Sequence, residues 1–143
     1  KGLGAPAGSL IVANEKFIDR ARKLRKALGG GMRQVGVLAS CGQFAIDNMI
    51  ERLQTDHDNA QSLATELSLI NQIDIDLNKI HTNLIFFHLN TSKITDEKFI
   101  KELLNYEIKI DYKGNHRFRM VTHCNFDESN ISKIIKTIKK ILN

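Results

Sequence analysis

Lys1, Arg33 and Arg119 are the side chains whose settings invite chemistry. Lys1 opens the run Lys1-Gly2-Leu3-Gly4-Ala5-Pro6-Ala7-Gly8-Ser9, in which small residues let another group pass close to the backbone. A lysine amine attacks a carbonyl only when deprotonated, so its ordinary pKa of about 10.4 has to be lowered by burial or neighbouring charge. Arg33 follows Gly29-Gly30-Gly31-Met32 and precedes a helical pattern. A forked, permanently charged guanidinium suits a phosphate dianion, and N–H groups at a helix start add donors. Arg119 lies between Phe118 and Met120 in an apolar strand, where a charge needs a partner. Arg117, two residues earlier, shares its face in a regular strand, so the pattern alone does not choose between the two arginines. Taken one at a time, each position also fits a solvated surface cation.

Other reactive types carry weaker signals. His57, His81 and His123 have no nucleophile or carboxylate at a recognisable spacing, and they read as structural or supporting residues. Cys41 and Cys124 are far apart and in no metal-ligand spacing, which predicts no zinc site and two reduced, structural thiols in a cytosolic protein. The net charge of +5 is partly local, because Lys133, Lys136, Lys139 and Lys140 interleave with isoleucines at the spacing of a solvated helix face. With no base-reading motif or aromatic platform beside them, nucleic acid is not the expected partner.

The elements that must position these groups follow from patterning. An apolar fraction of 42% and a charged fraction of 26% belong to a folded globular chain. The longest apolar stretch, Gly36 to Ile50, is interrupted by Ser40, Gln43, Asp47 and Asn48, which argues against a membrane span. The chain begins without Met or a signal-peptide pattern, as expected of a fragment. Gly8 to Ala13 reads as a buried strand, and residues 15 to 28 read as an amphipathic helix capped by Asn14 and ended by Gly29. From Met32 to beyond Ile70 the pattern is helical, as one long helix or two broken near Thr55-Asp56. Gly36, Ala39, Ser40 and Gly42 within it predict close packing against another element. Ile73–Leu77, Leu84–Leu89, Ile108–Tyr112 and Arg117–Val121 are expected strands, Asp96–Leu104 a short helix, and Asp127–Leu142 a closing helix. That order predicts a small α+β layer with its helices on one face.

Five blocks, taken in order, carry a family resemblance: Lys1 to Ser9, Gly29-Gly30-Gly31-Met32-Arg33-Gln34, Asp56-His57-Asp58-Asn59-Ala60, Thr82-Asn83-Leu84 and Arg119-Met120-Val121-Thr122-His123. Together they resemble the low-specificity L-threonine aldolases, which are fold-type I pyridoxal-phosphate enzymes, over essentially the whole chain. The resemblance implies an α/β, fold-type I transferase-like architecture. Residues 1–45 would end the large cofactor-binding domain, and residues 46–143 would form the small α+β C-terminal domain. It implies that Lys1 forms a Schiff base with pyridoxal 5'-phosphate and that Arg33 binds the phosphate of a cofactor held in the adjacent subunit. Arg119 would hold the substrate carboxylate.

The implied reaction is reversible cleavage of L-threonine or L-allo-threonine to glycine and acetaldehyde, by a cytoplasmic homo-oligomer, a dimer or tetramer, in threonine catabolism and glycine biosynthesis. The family's pyridine-nitrogen aspartate, ring-stacking histidine and first phosphate loop are expected before Lys1. The 143 residues alone are therefore expected to be inactive. The alternative is a non-catalytic remnant serving as an oligomerisation or binding module.

Overall fold

The computed structural model describes residues 2–143, and Lys1 lies outside the described residues. The chain divides into two compact units, the first ending at Glu51 and the second spanning Arg52–Asn143. No helix among the described residues is long and apolar enough to cross a membrane.

The first unit holds two helices, α1 (Glu15–Ala27) and α2 (Gly36–Met49). Asn14 starts α1 by accepting a hydrogen bond from the Phe17 N–H at 3.0 Å, and Gly29 ends it in the left-handed region at φ 83°. The expected strand over Gly8 to Ala13 does not form: the segment is irregular, and Val12 is 94% exposed. A strand exists only through a neighbour that takes its N–H and C=O groups, and none of the described residues pairs with this one. Close packing of Gly36 and Gly42 is not found either, since nothing lies within 4 Å of a Cβ built at either position. In this unit Ala45 alone among the described residues is a buried apolar side chain.

The second unit contains α3 (Leu53–Ser68), β1 (Ile73–Asp74), β2 (Leu84–Leu89), α4 (Asp96–Asn105), β3 (Asp111–Tyr112), β4 (Arg117–Val121) and α5 (Glu128–Leu142). The helical stretch after Met32 is thus two helices, separated by turn residues 50–52 rather than at Thr55-Asp56. Its strands make an antiparallel sheet in the order β1-β2-β4-β3. β2 and β4 have the expected bounds because each alternates cleanly: Ile85, Phe87 and Leu89, with Phe118 and Met120, turn into the core. The flanking strands are shorter than expected. Ile108 does not join the sheet, because its N–H bonds the Leu103 carbonyl at 3.0 Å and so closes the end of α4. Past Asp74 the chain turns into a short 3-10 segment, Leu77–Lys79, started by the Asp76 side chain.

Packing joins these elements into one core. α3 contributes Ala60, Leu63, Ala64 and Leu67, α4 contributes Phe99 and Leu103, and α5 contributes its isoleucine stripe. Local signals place the helices: the Thr95 hydroxyl accepts from the Lys98 N–H at the start of α4, and Asp127 with Asn130 forms a capping box at α5. Phe118 is fully buried at the centre, stacked on Phe87 with ring centroids 5.6 Å apart and edge-on to Phe99 at 5.4 Å. Phe118→Ala is expected to cost about 3–5 kcal/mol, as aromatic deletions in close-packed cores do. In urea titrations this should lower the unfolding midpoint at unchanged slope; an unmoved midpoint would show that this core does not limit stability.

Candidate carboxylate-binding site

Within the second unit α3, α4 and α5 pack on one face of the sheet, and the strand alternation sends another set of side chains to the other. In the β2–β4 ladder Phe86 is opposite Arg119 and His88 opposite Arg117, while Asp111 of β3 is opposite Arg119 on its other side. This second face brings Arg117, Arg119 and Asp111 together around Phe86.

The two arginines that sequence left as alternatives have different surroundings. Arg117 is exposed, and its guanidinium lies 4.6 Å from the centre of the Phe86 ring, a cation–π contact. Arg119 is half-buried, and its Nη2 pairs with Asp111 Oδ2 at 2.6 Å. The same oxygen receives Lys113 Nζ at 2.7 Å. Arg119 Nε is buried and has no hydrogen-bond partner. The Asp111 carboxyl is held below its ordinary pKa, first by the hydrogen bond from Lys113 and then by the charges of Lys113 and Arg119, which together outweigh partial desolvation. A guanidinium held on one nitrogen, with an adjacent donor free, is chemically suited to a two-pronged carboxylate ligand.

A latch at the end of β4 fixes where Arg119 stands. Thr122 is fully buried, and its hydroxyl donates to the Asp56 carbonyl of α3 at 2.6 Å. Its N–H bonds the Asn83 carbonyl at 3.1 Å, and the Asn83 amide returns a bond to the Thr122 carbonyl at 2.8 Å. Asn59 adds a bond from α3 to the Phe126 carbonyl at 3.0 Å. Asp56, itself buried, is gripped by Arg52 through both carboxylate oxygens, and this hydrogen-bonded pair raises the Arg52 pKa. Two of the motifs noticed in sequence, Asp56 to Ala60 and Thr82 to Leu84, therefore act by anchoring the third.

The hairpin joining β3 and β4 is held from the other side. His116 Nδ1 lies 2.9 Å from Asp96 Oδ1, and the Tyr112 hydroxyl also hydrogen-bonds Asp96. Burial pushes the Asp96 carboxyl up, but the bonds from His116 and Tyr112 and the His116 charge outweigh it and leave the group below its ordinary value. Sequence reading missed Asp96 and Asp111. The hairpin turn around Gly114-Asn115 was the available signal, since counting back from it sets Asp111 opposite Arg119.

The remaining candidates are placed as follows. Arg33 is exposed in the turn before α2, with no partner among the described residues, and no side chain caps that helix. Gln34 next to it has a positive φ of 52°, uncommon for a residue other than glycine. Lys1 is outside the described residues. His57 is half-buried and His81 exposed; His123 is exposed, with Nδ1 accepting from the Asn125 N–H. Cys41 and Cys124 are free and exposed, so neither is the core-packed thiol expected of a structural cysteine.

Solved structures with this architecture define the class first. The chain matches an L-threonine-O-3-phosphate decarboxylase from Porphyromonas gingivalis with a TM-score of 0.65 at 19% identity, covering 92% of this chain and 40% of that one. It matches an aminotransferase from Streptoalloteichus hindustanus with a TM-score of 0.68 at 14% identity, covering 90% and 46%. The fold is that of the fold-type I, pyridoxal-phosphate-dependent transferase-like proteins. The beta-eliminating lyase family model matches residues 1–90, and the chain belongs to that family.

Curated relatives narrow the similarity. The chain is 39% identical to low-specificity L-threonine aldolase 1 of Arabidopsis thaliana over 132 residues, which is 92% of this chain and 37% of that protein. It is 48% identical to the low specificity L-threonine aldolase of Escherichia coli (strain K12) over 86 residues, 60% of this chain and 25% of the relative. The chain spans well under half the length of the relatives it matches.

Two tests address how the site is held. Thr122→Val keeps the shape but removes the hydroxyl donor, and it is expected to cost about 1–3 kcal/mol in chemical unfolding; a neutral substitution would show that the latch contributes nothing. A carboxylate with a depressed folded-state pKa stabilises fully above its unfolded value, about 3.9 for aspartate, and loses that contribution as pH falls through the folded value. Asp96→Asn should therefore lower the thermal midpoint at neutral pH and flatten its decline on acidification below about pH 4. Parallel midpoint-versus-pH curves for the two proteins would exclude Asp96 as the titrating group.

Proposed function

We propose that this chain is the C-terminal part of an aldolase that uses pyridoxal 5'-phosphate to cleave L-threonine and L-allo-threonine to glycine and acetaldehyde. The observation that carries the reading is Arg119: a half-buried guanidinium with an unpartnered Nε, on the sheet face opposite the second unit's core, inside a sequence block that resembles one of the threonine aldolases. Its fork would fix the amino-acid carboxylate and with it the orientation of the bond to be broken. The cofactor, when bound, supplies an electron sink for that bond's electron pair.

Lys1 would be the amine that carries the cofactor, exchanged for the substrate's amine. Arg33 would bind the cofactor phosphate of an adjacent subunit. Its uncommitted guanidinium before an uncapped helix start is a donor set that fits a phosphate. A homo-oligomer, dimer or tetramer, belongs to the same reading, as does a division into the end of a large domain (1–45) and a small domain (46–143). So does a reducing, cytoplasmic setting, with which two free exposed thiols agree.

The test is steady-state cleavage of L-threonine by the full-length enzyme and its Arg119 variants. A charged hydrogen bond of about 1.5–3 kcal/mol corresponds to a loss of roughly 10- to 150-fold in kcat/KM for Arg119→Ala, expressed mostly in KM. Arg119→Lys keeps the charge without the fork, so partial recovery is expected. An Arg119→Ala enzyme with wild-type kcat/KM would rule out the clamp, and Arg117→Ala would then be the variant expected to lose it.

A further inference from the structure

Asp111 is the feature of this face that a carboxylate clamp does not require. It is a carboxylate, it stands directly across the ladder from Arg119, and its Oδ2 already occupies Arg119 Nη2. A ligand carboxylate that takes the Nε and Nη2 donors together meets Asp111 at one of them, and two like charges at one guanidinium repel. Nε meanwhile is covered and unpartnered, so the resting pair leaves the fork half used. Asp111 is also held by Lys113 through the same oxygen, at 2.7 Å, and that bond does not depend on Arg119. An Asp111 side chain that leaves Arg119 therefore keeps a cation, and its charge is not stranded.

We propose that Asp111 is an internal competitor for Arg119, holding the clamp closed on itself until a ligand carboxylate displaces it toward Lys113. The proposal rests on the carboxylate-binding reading of Arg119 and adds a positioning residue to it. It gives Lys113 a role of opposite sign: Lys113 draws Asp111 away from the clamp and so favours the ligand. Asp111 is charged throughout the neutral range, because Lys113 and Arg119 hold its carboxyl below the ordinary value.

The experiment follows the Arg119 Nε–H resonance of the 15N-labelled 143-residue chain, assigned by its loss in Arg119→Lys, and does not depend on catalysis. Glycine is the titrant, with glycinamide as its carboxylate-free counterpart, at constant ionic strength. Glycine should move the resonance, and glycinamide should not. Asp111→Asn should lower the glycine midpoint about two- to fivefold, the range an exposed ion pair is worth, and Lys113→Ala should raise it. A merely structural role for the pair would shift both variants in the same direction.

Glycine acting equally on wild type and Asp111→Asn, or more weakly on the variant, overturns the competitor role and leaves the clamp standing. Glycine moving the resonance in none of the proteins overturns the competitor role in this chain, while the Arg119 kinetics of the full-length enzyme decide the clamp separately. If Asp111→Asn does not fold, Asp111→Ser carries the same expected direction.

Discussion

Everything on the sheet face opposite the core depends on the register between β2 and β4. Side chains in a strand alternate with a period of two, so the residues that fill the core fix which residues are left outside. Phe118 and Met120 go in, and Arg117 and Arg119 therefore come out. A slip of one residue would bury both arginines and expose the ring on which Phe87, Phe99 and Tyr112 converge. The core and the candidate site are thus one specification written in alternate positions. The bonds that Thr122 makes to Asn83 and Asp56 lie at the end of this ladder, where fraying would otherwise loosen it.

The unpartnered Nε atoms show how far burial alone identifies a site. Arg52 and Arg119 both have one. Arg52, however, grips the two oxygens of a buried Asp56 and is committed to holding the start of α3. Its remaining donor is a leftover of a satisfied structural pair. Arg119 pairs, among the described residues, with a carboxylate that it shares with Lys113, on the sheet face opposite the one that α3, α4 and α5 pack against. An unmet buried donor costs about 1–3 kcal/mol, and at Arg119 that donor sits beside an Nη2 already engaged with a carboxylate, the geometry of a two-pronged fork.

The elements legible in sequence were those in which local pattern and tertiary environment agree. β2, β4 and α5 each have one face in the core, so periodicity alone located them. Gly8 to Ala13 has the composition of a buried strand without a partner, and composition carries no information about the neighbour a strand needs. Ile108 was misplaced for a related reason: its backbone N–H is consumed by α4, which side-chain apolarity does not reveal. Arg119 was legible as a charge in an apolar strand, but Asp111 was not, because its meaning comes entirely from the residue across the ladder.

The same distinction separates resemblance from role. The blocks that resemble threonine aldolases contain both kinds of residue, and only geometry sorts them. Asp56, Asn59, Asn83 and Thr122 spend their hydrogen bonds on the chain itself, so none is free to serve a ligand through those groups. Arg119, three positions before Thr122, is incompletely satisfied by the chain. A sequence match weights these positions alike, because losing the scaffold and losing the ligand contact both remove the site. What distinguishes them physically is where the unsatisfied valence remains, and in the second unit that points to the guanidinium opposite Asp111.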